Sequence, residues 1–262
     1  MAFSTIQGSG GAPDSFVGTS GVDSIVFEGN TNNFFLGAQQ ANDFIGFDNV
    51  AALETGTYTN GTLRGGAGID SFQDLAGVNI VSTWLNGNSG DDIFGANGAG
   101  LRLISSTLQG GQGDDTMFVI GAANSLFNGN RDDDTLTYTG IVTSSTIGGG
   151  QGDDDLFQTG GNMTGSLILL GDGDDDFANI NADTMGDGNT ITGGDGNDTI
   201  FVFNATDGDL VADGDAGVDA ITTGSGVDTL NGGTGNDLLN GQADNDVLTG
   251  GTGVDTFDYA TT

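Results

Sequence analysis

The chain has no cysteine, no histidine and no lysine, and its only basic side chains are Arg64, Arg102 and Arg131. Without cysteine there are no disulfides, thiol nucleophiles or thiolate metal sites, and without histidine there is no imidazole zinc site. The usual nucleophile–base pairs of hydrolytic enzymes are also missing, so an enzyme is not expected. Proline and tryptophan occur once each, as Pro13 and Trp84. No apolar run approaches the length of a membrane span, so membrane insertion is not expected. The first residues, Met1-Ala2-Phe3-Ser4-Thr5-Ile6-Gln7-Gly8, lack the basic and apolar regions of a cleavable signal peptide. Any export is expected to use a route that needs none.

What the 262 residues do contain is 51 glycines and 37 acidic side chains, for a formal charge of −34. Such a polyanion is not a nonspecific nucleic-acid binder and is not drawn to anionic lipid. Its natural partners are cations. Glycine and aspartate at this level would by themselves suggest disorder, through self-repulsion and too little apolar surface. The apolar residues, however, recur in phase, so the chain is expected to fold once its charge is neutralised.

Fourteen aspartates mark the phase, each with a residue of mostly apolar type seven positions earlier: Asp23, Asp43, Asp70, Asp92, Asp115, Asp134, Asp154, Asp175, Asp198, Asp219, Asp228, Asp237, Asp246 and Asp255. From Asp23 to Asp219 the steps run 20, 27, 22, 23, 19, 20, 21, 23 and 21 residues, and after that every step is nine. The expected architecture is all-β: a right-handed parallel β-solenoid with coils of about 21 residues, narrowing to 18-residue coils of two nonapeptides each. It forms one domain over residues 1–262. Residues 1–15 lead in, 16–221 form the wide coils, 222–257 the tandem nonapeptide coils, and 258–262 a tail.

Within a wide repeat the text reads as motif turn, short strand, glycine turn and second short strand. The second turn falls at Gly77, Gly95 and Gly98, Gly121, Gly140, Gly160 and Gly161, Gly186 and Gly208. Two apolar columns are expected to line the interior. One stands seven residues before the aspartates, as at Leu63, Leu85, Leu108 and Phe127; the other two residues after them, as at Phe72, Phe94, Met117 and Leu136. A longer period overlies this. The residue before each leading apolar one alternates as Thr62, Trp84, Thr107, Leu126, Thr146, Leu167, Thr190 and Val211. A duplicated two-coil unit, a patterned outer face, or a coil of about 42 residues would each produce that alternation.

Glycine permits positive φ and close approach of carbonyls, so these turns aim C=O groups inward, where the following aspartate adds an anionic oxygen. An oxygen-only donor set suits Ca²⁺, which takes six to eight such ligands, better than Mg²⁺, zinc or copper. The stretches Gly232-Gly233-Thr234-Gly235-Asn236-Asp237-Leu238-Leu239 and Gly250-Gly251-Thr252-Gly253-Val254-Asp255-Thr256-Phe257 are similar to the calcium-binding β-helix nonapeptide G-G-x-G-x-D-x-U-x. From about residue 16 to 257, and most strongly from 191, the chain resembles the RTX (repeats-in-toxin) family of calcium β-rolls. That resemblance implies multiple Ca²⁺ ions, with Asp23, Asp70, Asp92, Asp115, Asp134, Asp154, Asp175, Asp198, Asp219, Asp228, Asp237, Asp246 and Asp255 as side-chain ligands and motif carbonyls completing each site. It also implies type I export, folding outside the cell, and a secreted or cell-surface location. Three copies depart from the pattern. Ala38-Gln39-Gln40-Ala41-Asn42-Asp43 has lost its glycines, Asp132 replaces a glycine before Asp134, and Asp175 competes with Asp176 for one ligand position.

Function is expected to be structural. The motif starts close to one end of the sequence and runs to Phe257 near the other, so a calcium half-site at each end is expected to be completed by another copy, head to tail. The expected product is a filament, sheath or surface layer. The alternative is a monomeric adhesive module that binds a cell-surface glycan.

Overall fold

The computed structural model describes residues 2–7, 14–28, 31–32, 34–48, 57–74, 78–95, 100–180, 185–202 and 208–258; of the expected turn glycines, Gly77 and Gly98 lie outside them. Among the described residues there is no helix, and every strand pairing is parallel. The chain winds as the expected β-solenoid. Each leading strand lies beside the leading strand of the next motif, and together they make a twelve-stranded sheet. Leu85 pairs with Leu63 on one side and with Leu108 on the other, so one motif advances the chain by one coil. Coils of about 42 residues are thereby excluded.

Alternation within each strand decides what is buried, because successive side chains point to opposite faces. Leu63, Leu85, Leu108, Phe127, Ile147, Ile168 and Ile191 are fully or almost fully buried and form one interior column. Phe72, Phe94, Met117, Leu136, Leu156, Phe177, Ile200 and Ile221 form the second. Phe72 and Phe94 stack with ring centroids 4.6 Å apart and planes 10° from parallel. Both columns are the ones the sequence predicts.

A third side was not expected. Thr57–Thr59, Asn79–Val81, Leu101–Ile104, Val142–Thr143 and Met163–Thr164 are short strands that stack on one another. Thr116–Ala123 is long enough to serve two sides: its first half continues the second column and its last residues join these short strands. The inward residues Tyr58, Ile80, Leu103, Ala122, Val142, Met163 and Met185 make a third interior column. Among the described residues the column runs as far as Met185. From Ala220 on, two strands per coil remain, and the coils shorten to 18 residues.

The alternating residues Thr62, Trp84, Thr107, Leu126, Thr146, Leu167, Thr190 and Val211 form one register column on the outer face of the twelve-stranded sheet. Phe35 extends it at one end, and Thr229 and Val247 at the other, with the same alternation.

Candidate metal centre

The motif turns of the wide coils fall on one edge of the solenoid, between the first and second columns. There the backbone N–H of each motif aspartate donates to Oδ1 of the aspartate one coil later. Asp70 donates to Asp92 at 2.7 Å, Asp92 to Asp115 at 2.7 Å, Asp115 to Asp134 at 2.7 Å, Asp154 to Asp175 at 2.7 Å, and Asp198 to Asp219 at 2.9 Å. The ladder starts with Asp23 to Asp43 and ends with Asp219 to Asp237 to Asp255. Asp228 and Asp246 stand on the opposite edge, where the Asp228 N–H donates to Asp246 Oδ1 at 3.0 Å. The nine-residue run thus splits into alternate edges of an 18-residue coil.

The copies with irregular sequence keep their places. Asp43 donates to Asp70 Oδ1 at 2.8 Å, and Ala41 takes φ 82° where a glycine would stand. Asp132 likewise adopts φ 70°, in the left-handed region that Asn and Asp tolerate best among residues with a side chain, and Asp134 stays on the ladder. Of the competing pair, Asp175 is buried on the ladder and Asp176 is exposed.

At Asp23 the Thr19 N–H donates to Oδ2 at 2.6 Å, whereas in eleven of the other motif carboxylates one oxygen has a hydrogen bond and the other does not. Oδ2 is buried without a hydrogen-bond partner in Asp43, Asp70, Asp92, Asp115, Asp134, Asp154, Asp175, Asp198, Asp219, Asp228 and Asp237. Buried anionic oxygens with no partner are costly and call for a counter-charge. The chain has no lysine to provide it. Burial pushes the carboxyl groups up, to about 7 at Asp70, Asp115, Asp154 and Asp198, about 8 at Asp92 and about 9 at Asp134. The accepted N–H bond opposes the rise, and neighbouring carboxylates add to it.

The same space gathers backbone oxygen. At the first motif position a Cβ on Gly87 would collide with Asp92 Oδ2 and lie 2.6 Å from the carbonyl oxygen of Gly110 in the next coil. Gly193 repeats this with Asp198 Oδ2 and the Gly214 carbonyl, and Gly232 with Asp237 Oδ2 and the Gly250 carbonyl. Glycine is used here because the backbone must leave that space clear. Among the described residues no three carboxylates converge, so carbonyls have to make up most of any coordination shell. Carboxylate plus carbonyl oxygen in a flexible turn is the donor chemistry of Ca²⁺, and the residues fit that ion. The ladder aspartates and the carbonyls of the first motif position would hold it, and it would supply the positive charge that the orphaned Oδ2 atoms lack.

The sequence reading missed what closes the opposite edge of the wide coils. There Thr83, Ser106, Ser125, Ser145, Ser166 and Asn189 repeat the ladder geometry without charge. The Thr83 N–H donates to Ser106 Oγ at 3.1 Å, Ser106 to Ser125 Oγ at 3.1 Å, Ser125 to Ser145 Oγ at 3.2 Å, and Ser166 to Asn189 Oδ1 at 2.9 Å. After Leu210, whose N–H donates to Asp228 Oδ1, the position passes to Asp228 and Asp246. The signal was available: each of these residues stands nine before a motif aspartate.

The family model for the RTX calcium-binding nonapeptide repeat matches residues 55–83, 105–119, 183–207, 202–230 and 222–257. No curated protein matches the chain. The matched stretches carry glycine turns and ladder aspartates of the array, including Asp70, Asp115, Asp198, Asp219, Asp228, Asp237, Asp246 and Asp255. Over these stretches the solenoid is built of RTX calcium-binding nonapeptide repeats, and calcium is the ion that such repeats bind.

Proposed function

We propose that this chain is an extracellular, calcium-dependent structural protein whose copies join head to tail into a filament, sheath or surface layer. The observation that carries this reading is a site built by halves. Interior motif glycines such as Gly214 and Gly232 face both their own aspartate and a carbonyl of the following coil. The three atoms nearest a Cβ on Gly250 all belong to Asp255, and those nearest a Cβ on Gly241, on the other edge, all belong to Asp246. Around them Val254 and Phe257 are exposed, and among the described residues the strands Val247–Thr252 and Thr256–Phe257 pair on one side only. Among the described residues Ala2–Gln7 and Asp14–Val17 also pair on one side only, and would offer matching backbone to a second copy. Open parallel edges of this kind are templates for further strands.

Export would fit the same picture, because RTX repeat proteins are typically secreted by type I systems. Among the described residues no helix is long and apolar enough to cross a membrane. With no histidine, cysteine or lysine, a binding or structural role suits the chain better than catalysis.

Negative-stain electron microscopy in millimolar calcium, beside a chelated sample, tests the proposal. Filaments or sheets that dissolve on chelation are expected. A variant with both Asp246→Asn and Asp255→Asn is expected to fold in calcium, by circular dichroism, but to stay as short rods. Isolated rods of the unaltered chain at every calcium concentration would sink the assembly reading.

A further inference from the structure

The outer face of the twelve-stranded sheet carries a polar groove unlike the rest of this acidic surface. It has a volume of about 330 Å³ and is lined by Asn86, Asn88, Gln109, Gln112, Asn130 and Arg131, together with Gly111. No carboxylate lines it, in a chain with 37 acidic residues. Of the three basic side chains Arg131 lines it, and Arg64 adjoins it through the chain's only tryptophan, Trp84. We propose that the groove binds an acidic saccharide, a chain of sugar rings bearing carboxylates.

Trp84 sits beside the groove, and its indole Nε1–H donates to Gln109 Oε1 at 2.9 Å. Asn86 Nδ2 donates to the same oxygen at 3.1 Å. With its oxygen satisfied twice, Gln109 keeps its amide N–H groups for a ligand, and Asn86 Oδ1 is left buried without a hydrogen-bond partner. Arg64, one strand earlier, holds its guanidinium carbon 4.8 Å from the Trp84 ring centroid. That contact braces the arginine by cation–π attraction while leaving its N–H fork unneutralised. Among the described residues no carboxylate forms an ion pair with Arg64 or Arg131.

The chemistry matches one ligand class. Carboxamides donate to and accept from sugar hydroxyls, an aromatic ring meets the apolar face of a pyranose, and guanidinium pairs a carboxylate bidentately. Arg64, Asn86, Gln109 and Asn128 are successive members of one register column, and Arg131 follows Asn128 at the motif edge. Three strand spacings, about 14 Å, separate the strand that bears Arg64 from the strand that leads into the Arg131 turn. That span exceeds one sugar ring and calls for an oligosaccharide. The net charge of −34 opposes a polyanion at long range. Calcium on the neighbouring ladder offsets part of it, and screening confines the rest to a Debye length of about 8 Å at physiological salt. The interaction is therefore local and requires the calcium-loaded fold.

Because Trp84 is the only tryptophan, its emission reports on the groove directly. The full chain in calcium would be titrated with a glucuronate-containing hexasaccharide, its carboxyl-reduced form serving as the neutral control. A saturable emission change is expected with the acidic sugar, with at least tenfold weaker binding of the reduced form. By calorimetry, Arg64→Gln and Arg131→Gln are each expected to weaken binding at least tenfold at unchanged circular dichroism. Arg102→Gln, on another face, leaves binding as it was. Equal binding of the neutral sugar, full binding by both arginine variants, or no saturable signal by either method would overturn the proposal. None of these results depends on whether the rods assemble.

Discussion

The backbone N–H of Asp134 donates to Asp154 Oδ1 at 2.8 Å, while Oδ2 of both residues is buried with no hydrogen-bond partner. Each ladder carboxylate from Asp43 to Asp237 is thus half satisfied by the chain and half reserved. The satisfied half fixes the coil register, and the reserved half sets the terms on which the fold exists without calcium.

Those terms give a pH dependence of unusual sign for an acidic protein. Burial raises the ladder carboxyls from an ordinary value of 3.8 to about 6 at Asp175 and Asp219, and to about 9 at Asp134. The folded calcium-free chain therefore binds more protons than the unfolded one, and its stability falls as pH rises. This contribution is fully present below about pH 4 and is lost as the pH climbs through about 6 to 9. In chelator, far-UV circular dichroism is expected to show strand at pH 4.5 and its loss at pH 8, with calcium restoring it at pH 8. A chelated chain equally folded at both values would refute this account.

Asp154→Asn separates the two halves of the carboxylate. The amide oxygen still accepts from Asp134, and the charge that burial disfavours is gone, so the calcium-free fold at pH 8 gains stability. The loaded fold loses an anionic ligand. A charged contact is worth about 1.5–3 kcal/mol, so the midpoint of the calcium titration should rise on the order of tenfold. Gain without calcium and loss with it, in one variant, would be read from denaturation midpoints in chelator and in calcium.

A glycine at the first motif position is held there by space rather than by backbone conformation. A Cβ on Gly149 would collide with Asp154 Oδ2 and lie 2.6 Å from the Leu170 carbonyl oxygen. Gly165 is the opposite case, with φ +56° and no atom within 4 Å of its Cβ position. Gly165→Ala is expected to cost about 1–2 kcal/mol, the penalty of a left-handed residue, with calcium binding unchanged. Gly149→Ala should disturb calcium binding as well. Equal calcium midpoints for the two variants would show that the space beside Asp154 is not part of the site.

Much of this was legible because a solenoid turns periodicity directly into position. A residue seven before one aspartate stacks on the residue seven before the next, so Leu63, Leu85 and Leu108 could be read as a column without any knowledge of turns. The third side was not legible, because the segments joining the motifs vary in length and their inward residues are chemically mixed. Tyr58, Leu103, Ala122 and Met163 share a column without sharing a type or a fixed distance from the motif. The hydroxyl ladder was missed for another reason: serine and threonine before a strand read as ordinary turn residues. Asp43 has lost its motif glycines, yet its neighbours in the stack keep it on the ladder.

The hydroxyl ladder predicts a cost that calcium does not alter. Ser125 Oγ accepts from the Ser106 N–H at 3.1 Å and donates to the Ala123 carbonyl at 2.9 Å. Ser125→Ala leaves the Ser106 N–H buried and unpaired, a loss of about 1–3 kcal/mol. Denaturation in saturating calcium should show that loss, with the calcium midpoint unmoved. A shift of that midpoint would mean that the two edges are coupled through the core.

The third column tests whether the wide coils depend on it for stability. Leu103 is fully buried between Ile80 and Ala122, whereas Ile141 nearby is 67% exposed. Leu103→Ala removes buried methyl groups from a thin interior that stacked strands on either side prevent from collapsing, so a cost of about 2–5 kcal/mol is expected. Ile141→Ala should stay within about 0.5 kcal/mol. The contrast is measured by thermal and denaturant unfolding in calcium. Equal small effects would mean that the two edges and the first two columns hold the solenoid alone, as they do from Ala220 on. A large effect of Leu103→Ala would instead assign the extra residues of each wide coil a packing role that the nonapeptide coils do without.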